Sequence, residues 1–160
     1  MRRLHILVAD DHEVVRKGIR TLLASRPEWE ICGEASTGRD AIAKTARLKP
    51  DVVLLDITMP GLSGLEAIPE ILQACPDTKV LVLTMHDSGR MASRVLAAGA
   101  SGLVLKSDAA RDLILALEAL SKNKAFLSPQ VTNAGRTKGT LPRPLCTSLP
   151  DRATLRAHEP

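Results

Sequence analysis

The chain has 160 residues and a formal net charge of +4, and its apolar runs fall well short of the ~20 residues that a membrane-spanning helix needs. This length allows one domain with a buried core and a modest extension. Only two residues are aromatic, Trp29 and Phe126, so a base-stacking surface for single-stranded nucleic acid is not expected. The apolar stretch after the basic N-terminus is too short for a signal peptide, and we therefore expect a cytoplasmic protein without membrane contact.

Five short apolar runs predict β-strands in the first 125 residues, at 6–9, 31–33, 52–55, 80–83 and 103–105. The segments between them have helical periodicity, which is clearest after the first strand and after the last: Val15, Ile19, Leu22 and Leu23, then Leu113, Leu117 and Leu120. Fully apolar strands joined by helices are typical of a parallel sheet covered on both faces. The sequence therefore predicts an α/β fold over residues 1–125, a doubly wound (βα)5 parallel sheet with strand order 2-1-3-4-5.

Residues 126–160 differ in composition from the predicted domain. Positions 136–160 contain four of the ten prolines, and they carry five basic and two acidic residues without helical periodicity. We expect an irregular Pro/Arg-rich tail rather than a second domain, because so short a segment cannot bury a core of its own. The residues before position 136 are nearly neutral, which is not the charge pattern of a DNA-binding domain.

Polar side chains stand where four of the predicted strands end. Asp10 and Asp11 follow the first strand, and Asp56 ends the third. Thr84 ends the fourth strand, and Lys106 ends the fifth. The carboxyl ends of the strands form the ligand-binding crevice of an open parallel α/β sheet, so we expect these five residues to converge.

The residue types at this predicted crevice favour a divalent cation and a phosphoryl group. Three neighbouring carboxylates repel one another unless a cation lies between them. Oxygen ligands with room for water favour Mg²⁺ over zinc or copper. A hydroxyl and an ammonium on the far side suit the charge that a transferring phosphoryl group spreads over its oxygens.

Four segments carry a family resemblance: VADDH at 8–12, LLDITMPG at 54–61, LT at 83–84 and VLK at 104–106. Each segment is a weak signal alone, but together, in this order and at the ends of these strands, they are specific. Over residues 4 to about 124 the sequence resembles the receiver domain of bacterial two-component response regulators. The segment LTMH at 83–86 and Lys106-Ser107 are most similar to the NarL/FixJ (LuxR-type) subfamily.

The resemblance implies a flavodoxin- or CheY-like fold and a Mg²⁺ cofactor. Asp11 and Asp56 are implied as direct ligands of Mg²⁺, together with the backbone carbonyl of Thr58, and Asp10 is implied to act chiefly through water. Asp11 has a simpler alternative role as the cap of a helix that begins near Glu13. His12 and His86 are not expected to bind metal, because two histidines on separate loops lack the spacing of a ligand set.

The resemblance also implies the reaction. Asp56 is the phosphoacceptor, which attacks a phosphohistidine of a sensor histidine kinase, while Lys106 and Thr84 contact the phosphoryl group. Such a domain is a signalling module that catalyses only its own phosphorylation and dephosphorylation, not a conventional enzyme. An alternative is a Mg²⁺-dependent phosphatase or phosphotransferase of the haloacid-dehalogenase type, but that type has a second carboxylate two residues after the nucleophile, where this chain has Thr58.

Two departures from the resemblance affect the expected output. Many receivers carry an aromatic residue shortly before the lysine, and the matching position here is Leu103. The subfamily normally continues into a helix-turn-helix domain, but no two amphipathic helices follow Lys124. We therefore expect DNA contact only through a domain absent from this sequence. The tail that begins near Ala134 is expected to be either a frameshifted or truncated remnant of a longer regulator or a natural basic tail.

Self-association is a further expectation. The last predicted helix carries more large aliphatic side chains than one packing stripe needs, at Leu113, Ile114, Leu115, Leu117 and Leu120. The simpler alternative is that most of them pack on the sheet. A homodimer through this helix remains open on the sequence alone.

Overall fold

The computed structural model describes residues 3–59, 61–85 and 89–127, which form a parallel sheet with helices on both faces. The strands are β1 (Leu4–Ala9), β2 (Trp29–Ala35), β3 (Val52–Asp56), β4 (Lys79–Thr84), β5 (Gly102–Leu105) and β6 (Phe126–Leu127). The helices are α1 (Glu13–Leu23), α2 (Gly38–Leu48), α3 (Gly64–Ala74), α4 (Gly89–Ala97) and α5 (Ala109–Ser121), with a 3-10 turn at Lys106–Asp108. The strand order is β2-β1-β3-β4-β5-β6, so the predicted order 2-1-3-4-5 is confirmed and one strand is added. None of the described helices is both long and apolar enough to cross a membrane.

Alternate residues of the central strands pack against opposite layers of helices. In β3, Val53 and Leu55 lie in the core shared with α2, α3 and α4, whereas Val52 and Leu54 lie in the core shared with α1 and α5. All four side chains are buried, and burying one such side chain stabilises a fold by about 1.5–3 kcal/mol. Packing on both faces therefore holds β3, and with it the terminal residue Asp56, in a fixed position.

Helix α5 buries most of its aliphatic surface against the sheet. Leu113, Leu117 and Leu120 are fully buried, and Ile114 is half-buried. Leu115 remains 52% exposed. The packing explains most of the apolar surplus seen in the sequence and leaves one large side chain of this helix open to solvent.

The sixth strand is a correction to the predicted domain boundary. The sequence prediction places Phe126 and Leu127 in the irregular tail, but they pair in parallel with Gly102 and Leu103 of β5. Both side chains also contact the core, Phe126 on one face of the sheet and Leu127 on the other. A two-residue strand is too short to give a periodic signal in the sequence. The predicted tail after Leu127 lies outside the described residues.

Gly64 allows α3 to begin directly beside the end of β3. A Cβ atom at this position would lie 2.5 Å from the carbonyl oxygen of Asp56 and 2.6 Å from the Cα of Ile57. Both neighbours are backbone atoms, which cannot rotate away as a side chain can. The preceding residue, Ser63, caps the helix by accepting a hydrogen bond from the Glu66 N–H at 3.2 Å.

Replacing Gly64 by alanine tests this close approach. We expect Gly64→Ala to lower the free energy of unfolding by about 1–3 kcal/mol, because the β3 and α3 backbones must separate. The matched control is Gly18→Ala in the middle of α1, where an added Cβ meets no atom within 4 Å. The control should raise the free energy of unfolding by about 1 kcal/mol. Urea unfolding of both variants measures the difference, and a Gly64→Ala protein as stable as the control would contradict the argument.

Candidate functional site

The register of the sheet brings the ends of four strands to one edge. The Asp10 N–H, just after β1, donates a hydrogen bond to the Ala35 carbonyl at 2.9 Å. Asp56 at the end of β3 pairs with Leu83 of β4. The next residue of β4, Thr84, pairs with Leu105, which directly precedes Lys106. Asp10, Asp56 and Thr84 are fully buried at this edge.

Lys106 bridges two of the buried carboxylates. Its Nζ lies 2.9 Å from Asp10 Oδ2 and 3.1 Å from Asp56 Oδ1, and the lysine side chain is only 12% exposed. Burial alone would lower the pKa of Lys106, but the hydrogen bonds and charges of Asp10 and Asp56 outweigh it and raise the pKa above its ordinary value of 10.5. The lysine is therefore a permanent cation at neutral pH.

The two oxygens of Asp56 differ in their surroundings. Oδ1 accepts hydrogen bonds from the backbone N–H and the hydroxyl of Thr58, both at 3.1 Å, and it also faces Lys106. Oδ2 is buried and has no hydrogen-bond partner among the described residues. A buried carboxylate oxygen without a partner is energetically costly, so Oδ2 is the atom available to a cation or an incoming group.

Asp11 and His12 complete the acidic edge beside Asp10. Asp10 Oδ1 accepts a hydrogen bond from the His12 N–H at 2.8 Å and lies 3.1 Å from His12 Nδ1. Asp11 Oδ1 also lies 3.1 Å from His12 Nδ1, but without hydrogen-bond geometry. One ligand atom from each of Asp10, Asp11, His12 and Asp56 lies within 4.8 Å of the other three. Each of these three carboxylates has one buried oxygen without a hydrogen-bond partner among the described residues, although Asp10 Oδ2 faces Lys106 as an ion pair. Three carboxylates this close suit a hard divalent cation such as Mg²⁺.

The structure brings together the site residues that the sequence predicts. Asp10, Asp11, Asp56 and Lys106 lie in one cluster, Thr58 contacts Asp56 from the exposed rim, and Thr84 is buried at the end of the adjacent strand. Asp11 does not cap α1, because His12 occupies the N-cap position. His86 lies outside the described residues.

Sequence reasoning missed two residues at this edge, His12 and Arg16. The sequence predicts no metal role for His12, because two histidines on separate loops lack the spacing of a ligand set, but the structure places its ring beside Asp10 and Asp11. Arg16, one turn into α1, donates a hydrogen bond from its guanidinium group to the backbone carbonyl of Asp10. Both contacts depend on the path of the loop between β1 and α1, which the sequence does not reveal. An arginine in a helical pattern, such as Arg16, is usually a solvated side chain.

The fold and the acidic edge define a class of signalling domain, and a comparison with protein families identifies the same class. The family described as "Response regulator receiver domain" matches residues 6–118. The chain therefore belongs to the receiver domains of two-component response regulators, a family that typically binds a divalent metal and interacts with histidine kinases.

Individual relatives confirm the predicted NarL/FixJ type. The transcriptional regulatory protein DegU of Brevibacillus brevis is 38% identical over 131 residues, which cover 82% of this chain and 56% of DegU. This chain thus spans little more than half the length of that curated relative. A two-component response regulator of the LuxR family from an Aurantimonas species superposes with a TM-score of 0.81 at 33% identity, covering 85% of this chain and 97% of that chain. RcsB, in a structure of two RcsB dimers bound to two parallel DNAs, superposes with a TM-score of 0.77 at 32% identity, covering 83% of this chain and 68% of that chain.

Removing the lysine charge tests the electrostatics of the site. We expect Lys106→Met to lower the free energy of unfolding at neutral pH by about 3 kcal/mol, because two buried carboxylates lose their cation. The pKa of Lys106 is raised in the folded state, so its contribution is complete below the ordinary value of 10.5 and is lost as the pH rises through the raised pKa. Urea unfolding of wild type and variant in metal-free buffer should therefore converge only above about pH 10.5.

The control for this comparison is Lys17→Met, which removes an exposed lysine of α1. Its free energy of unfolding should stay within about 0.5 kcal/mol of wild type across the same pH range. A difference between Lys106→Met and wild type that vanishes near neutral pH would show that Lys106 does not neutralise the buried pair.

Proposed function

We propose that this chain is a phosphoacceptor in a two-component pathway of the cytoplasm, in which Asp56 accepts a phosphoryl group from a phosphohistidine of a sensor histidine kinase. The observation that carries the proposal is the state of Asp56. Its carboxylate is fully buried, one oxygen is held by Thr58 and Lys106, and the other oxygen has no described partner. An aspartate with only a structural role would not be expected to keep a buried oxygen without a partner, because such an oxygen costs stability.

The proposed transfer is an in-line displacement on phosphorus. A new O–P bond forms between the Asp56 carboxylate and the phosphoryl group, while the N–P bond of the phosphohistidine breaks and its electron pair returns to the imidazole nitrogen, which takes up a proton. Lys106 is proposed to neutralise charge that develops on the phosphoryl oxygens, and its Nζ already lies 3.1 Å from Asp56 Oδ1. The hydroxyl of Thr84, on the neighbouring strand, is proposed to hydrogen-bond a phosphoryl oxygen after transfer.

The proposed metal ligands are Asp11, Asp56 and the backbone carbonyl of Thr58, with Asp10 acting through water. The fit rests on the convergence of the carboxylates within 4.8 Å and on the partnerless oxygen of Asp56. A bound Mg²⁺ supplies positive charge against the phosphoryl oxygens. We propose that the acyl phosphate is hydrolysed slowly at the same edge, so that the domain acts as a signal of limited lifetime rather than as a multiple-turnover enzyme.

The comparisons give no support to the haloacid-dehalogenase alternative. The position two residues after Asp56 is Thr58, whose N–H and hydroxyl donate to Asp56 Oδ1. A hydroxyl that donates to the nucleophile is not a general acid or base for a leaving group. We therefore propose a receiver alone, without turnover of phosphate esters.

The output of the domain is also part of the proposal. RcsB forms DNA-bound dimers, and we propose that this chain can form a homodimer, with exposed Leu115 of α5 as one contact. Leu103 replaces the aromatic residue of many receivers, and it lies fully buried in the core that contains Ala92 and Val95 of α4. Any signal through Leu103 must therefore act by packing rather than by exchange of a hydroxyl.

Phosphoryl transfer from acetyl phosphate tests the role of Asp56. Wild type should gain one phosphoryl group only when Mg²⁺ is present, and Asp56→Asn should gain none, because an amide oxygen is a poor nucleophile. The matched control is Asp77→Asn, an exposed residue in the turn before β4, which should be labelled like wild type. Intact-protein mass spectrometry gives the readout. Equal labelling of Asp56→Asn and wild type would contradict the proposal, as would steady turnover of a phosphate ester.

Coupling of the site to α4 can be observed by NMR. Beryllofluoride, a mimic of the phosphoryl group, should shift the amide resonances of Thr84 and Leu103 and of the α4 residues that pack on Leu103. The expected shifts are absent in Asp56→Asn and small at Trp29, which lies at the opposite end of the sheet. Shifts confined to residues 10–12 between β1 and α1, here called the acidic loop, with α4 unchanged, would reject this route of coupling.

A further inference from the structure

We infer that Arg16 is a positioning residue for the metal ligands of the acidic loop, held in place by Glu34 of the edge strand β2. The inference rests on the proposed function, because it assigns Arg16 a part in binding the divalent cation at that site. It adds a residue that does not itself contact the cation or the phosphoryl group.

The guanidinium group of Arg16 joins two elements of the fold. Its Nη1 donates a hydrogen bond to the backbone carbonyl of Asp10, and its Nε donates to Glu34 Oε1 at 3.0 Å. The arginine side chain is 18% exposed and that of Glu34 is 28% exposed, so both are largely withdrawn from water. A planar guanidinium with donors on two sides is suited to hold a carbonyl and a carboxylate at once.

The carbonyl that Arg16 holds is part of the peptide plane between Asp10 and Asp11. The carboxylate of Asp10 is already fixed by His12 and Lys106. The carboxylate of Asp11 is 26% exposed and lies near His12 without hydrogen-bond geometry. Its direction therefore depends on the backbone, and rotation of the Asp10–Asp11 peptide would move it away from Asp56. Arg16 opposes that rotation.

Glu34 is a stable anchor for this arrangement. It also forms an ion pair with Arg20, one turn further along α1, and its backbone carbonyl accepts a hydrogen bond from the Lys44 ammonium. Burial acts to raise the pKa of Glu34, but the hydrogen bonds and charges of Arg20 and Arg16 outweigh it and bring the pKa below the ordinary 4.5. The carboxylate is therefore charged at neutral pH and orients Arg16 throughout the range in which the site operates.

Arg20 provides a matched control because it shares Glu34 but donates no described hydrogen bond to the acidic loop. A purely structural role, the tying of α1 to β2, predicts similar effects for the loss of either arginine. A positioning role predicts that only Arg16 affects the cation. A comparison of the two substitutions therefore distinguishes a structural role, the tying of α1 to β2, from a role in orienting the metal ligands.

The experiment measures Mg²⁺ binding to the full chain by isothermal titration calorimetry for wild type, Arg16→Met and Arg20→Met. Methionine keeps the aliphatic stem and removes the donors. Residues that orient metal ligands typically contribute 10–100-fold to affinity, so we expect Arg16→Met to raise the Kd about tenfold and Arg20→Met to raise it less than about twofold. Arg16→Lys, which keeps one charged donor, should give an intermediate Kd.

Labelling by acetyl phosphate at increasing Mg²⁺ supplies a second readout. Arg16→Met should need about tenfold more Mg²⁺ for half-maximal labelling but should reach the wild-type rate at saturation. A loss that saturating Mg²⁺ does not restore would overturn the inference, as would an unchanged Kd or equal changes in the two methionine variants. Wild type that binds no Mg²⁺ through Asp56 would instead overturn the proposed function itself, and the inference with it.

Discussion

The structure depends on one electrostatic constraint, the burial of like charges at the carboxyl edge of the sheet. Asp10 and Asp56 are fully buried, and Asp11 adjoins them, while Lys106 is the ammonium that the structure places between the first two. One cation does not balance three carboxylates, so repulsion among them is only partly relieved. The remaining negative charge suits this edge to a divalent cation, and in the proposed function Lys106 faces the phosphoryl group.

Such an arrangement costs stability, and the surrounding packing offsets that cost. The side chains of β3 lie fully buried between two layers of helices, and Gly64 brings the start of α3 against the backbone of Asp56. Neither feature belongs to the charged cluster, yet both fix the position of the Asp56 backbone and so where its carboxylate points. A site of this kind is held by its backbone supports as much as by contacts among its charged groups.

The sequence predicts this edge well because its signals are local. Apolar runs that each end in a polar residue give both the strands and the site, and parallel pairing then brings the residues together. His12, Arg16 and the strand at Phe126–Leu127 could not be predicted in the same way. Their contacts depend on the path of a loop or on a two-residue pairing, and neither leaves a periodic pattern in the sequence.

The short strand β6 has a consequence for solubility. An uncovered edge strand presents free N–H and C=O groups that can template the addition of a strand from another molecule. β6 satisfies part of this edge by pairing with Gly102 and Leu103, half of β5. A fragment that ends before Phe126 would keep the residues of the acidic cluster. It would leave the β5 edge at Leu103 and its neighbours uncovered by β6. The two residues thus occupy part of an edge that another molecule's strand could otherwise pair with.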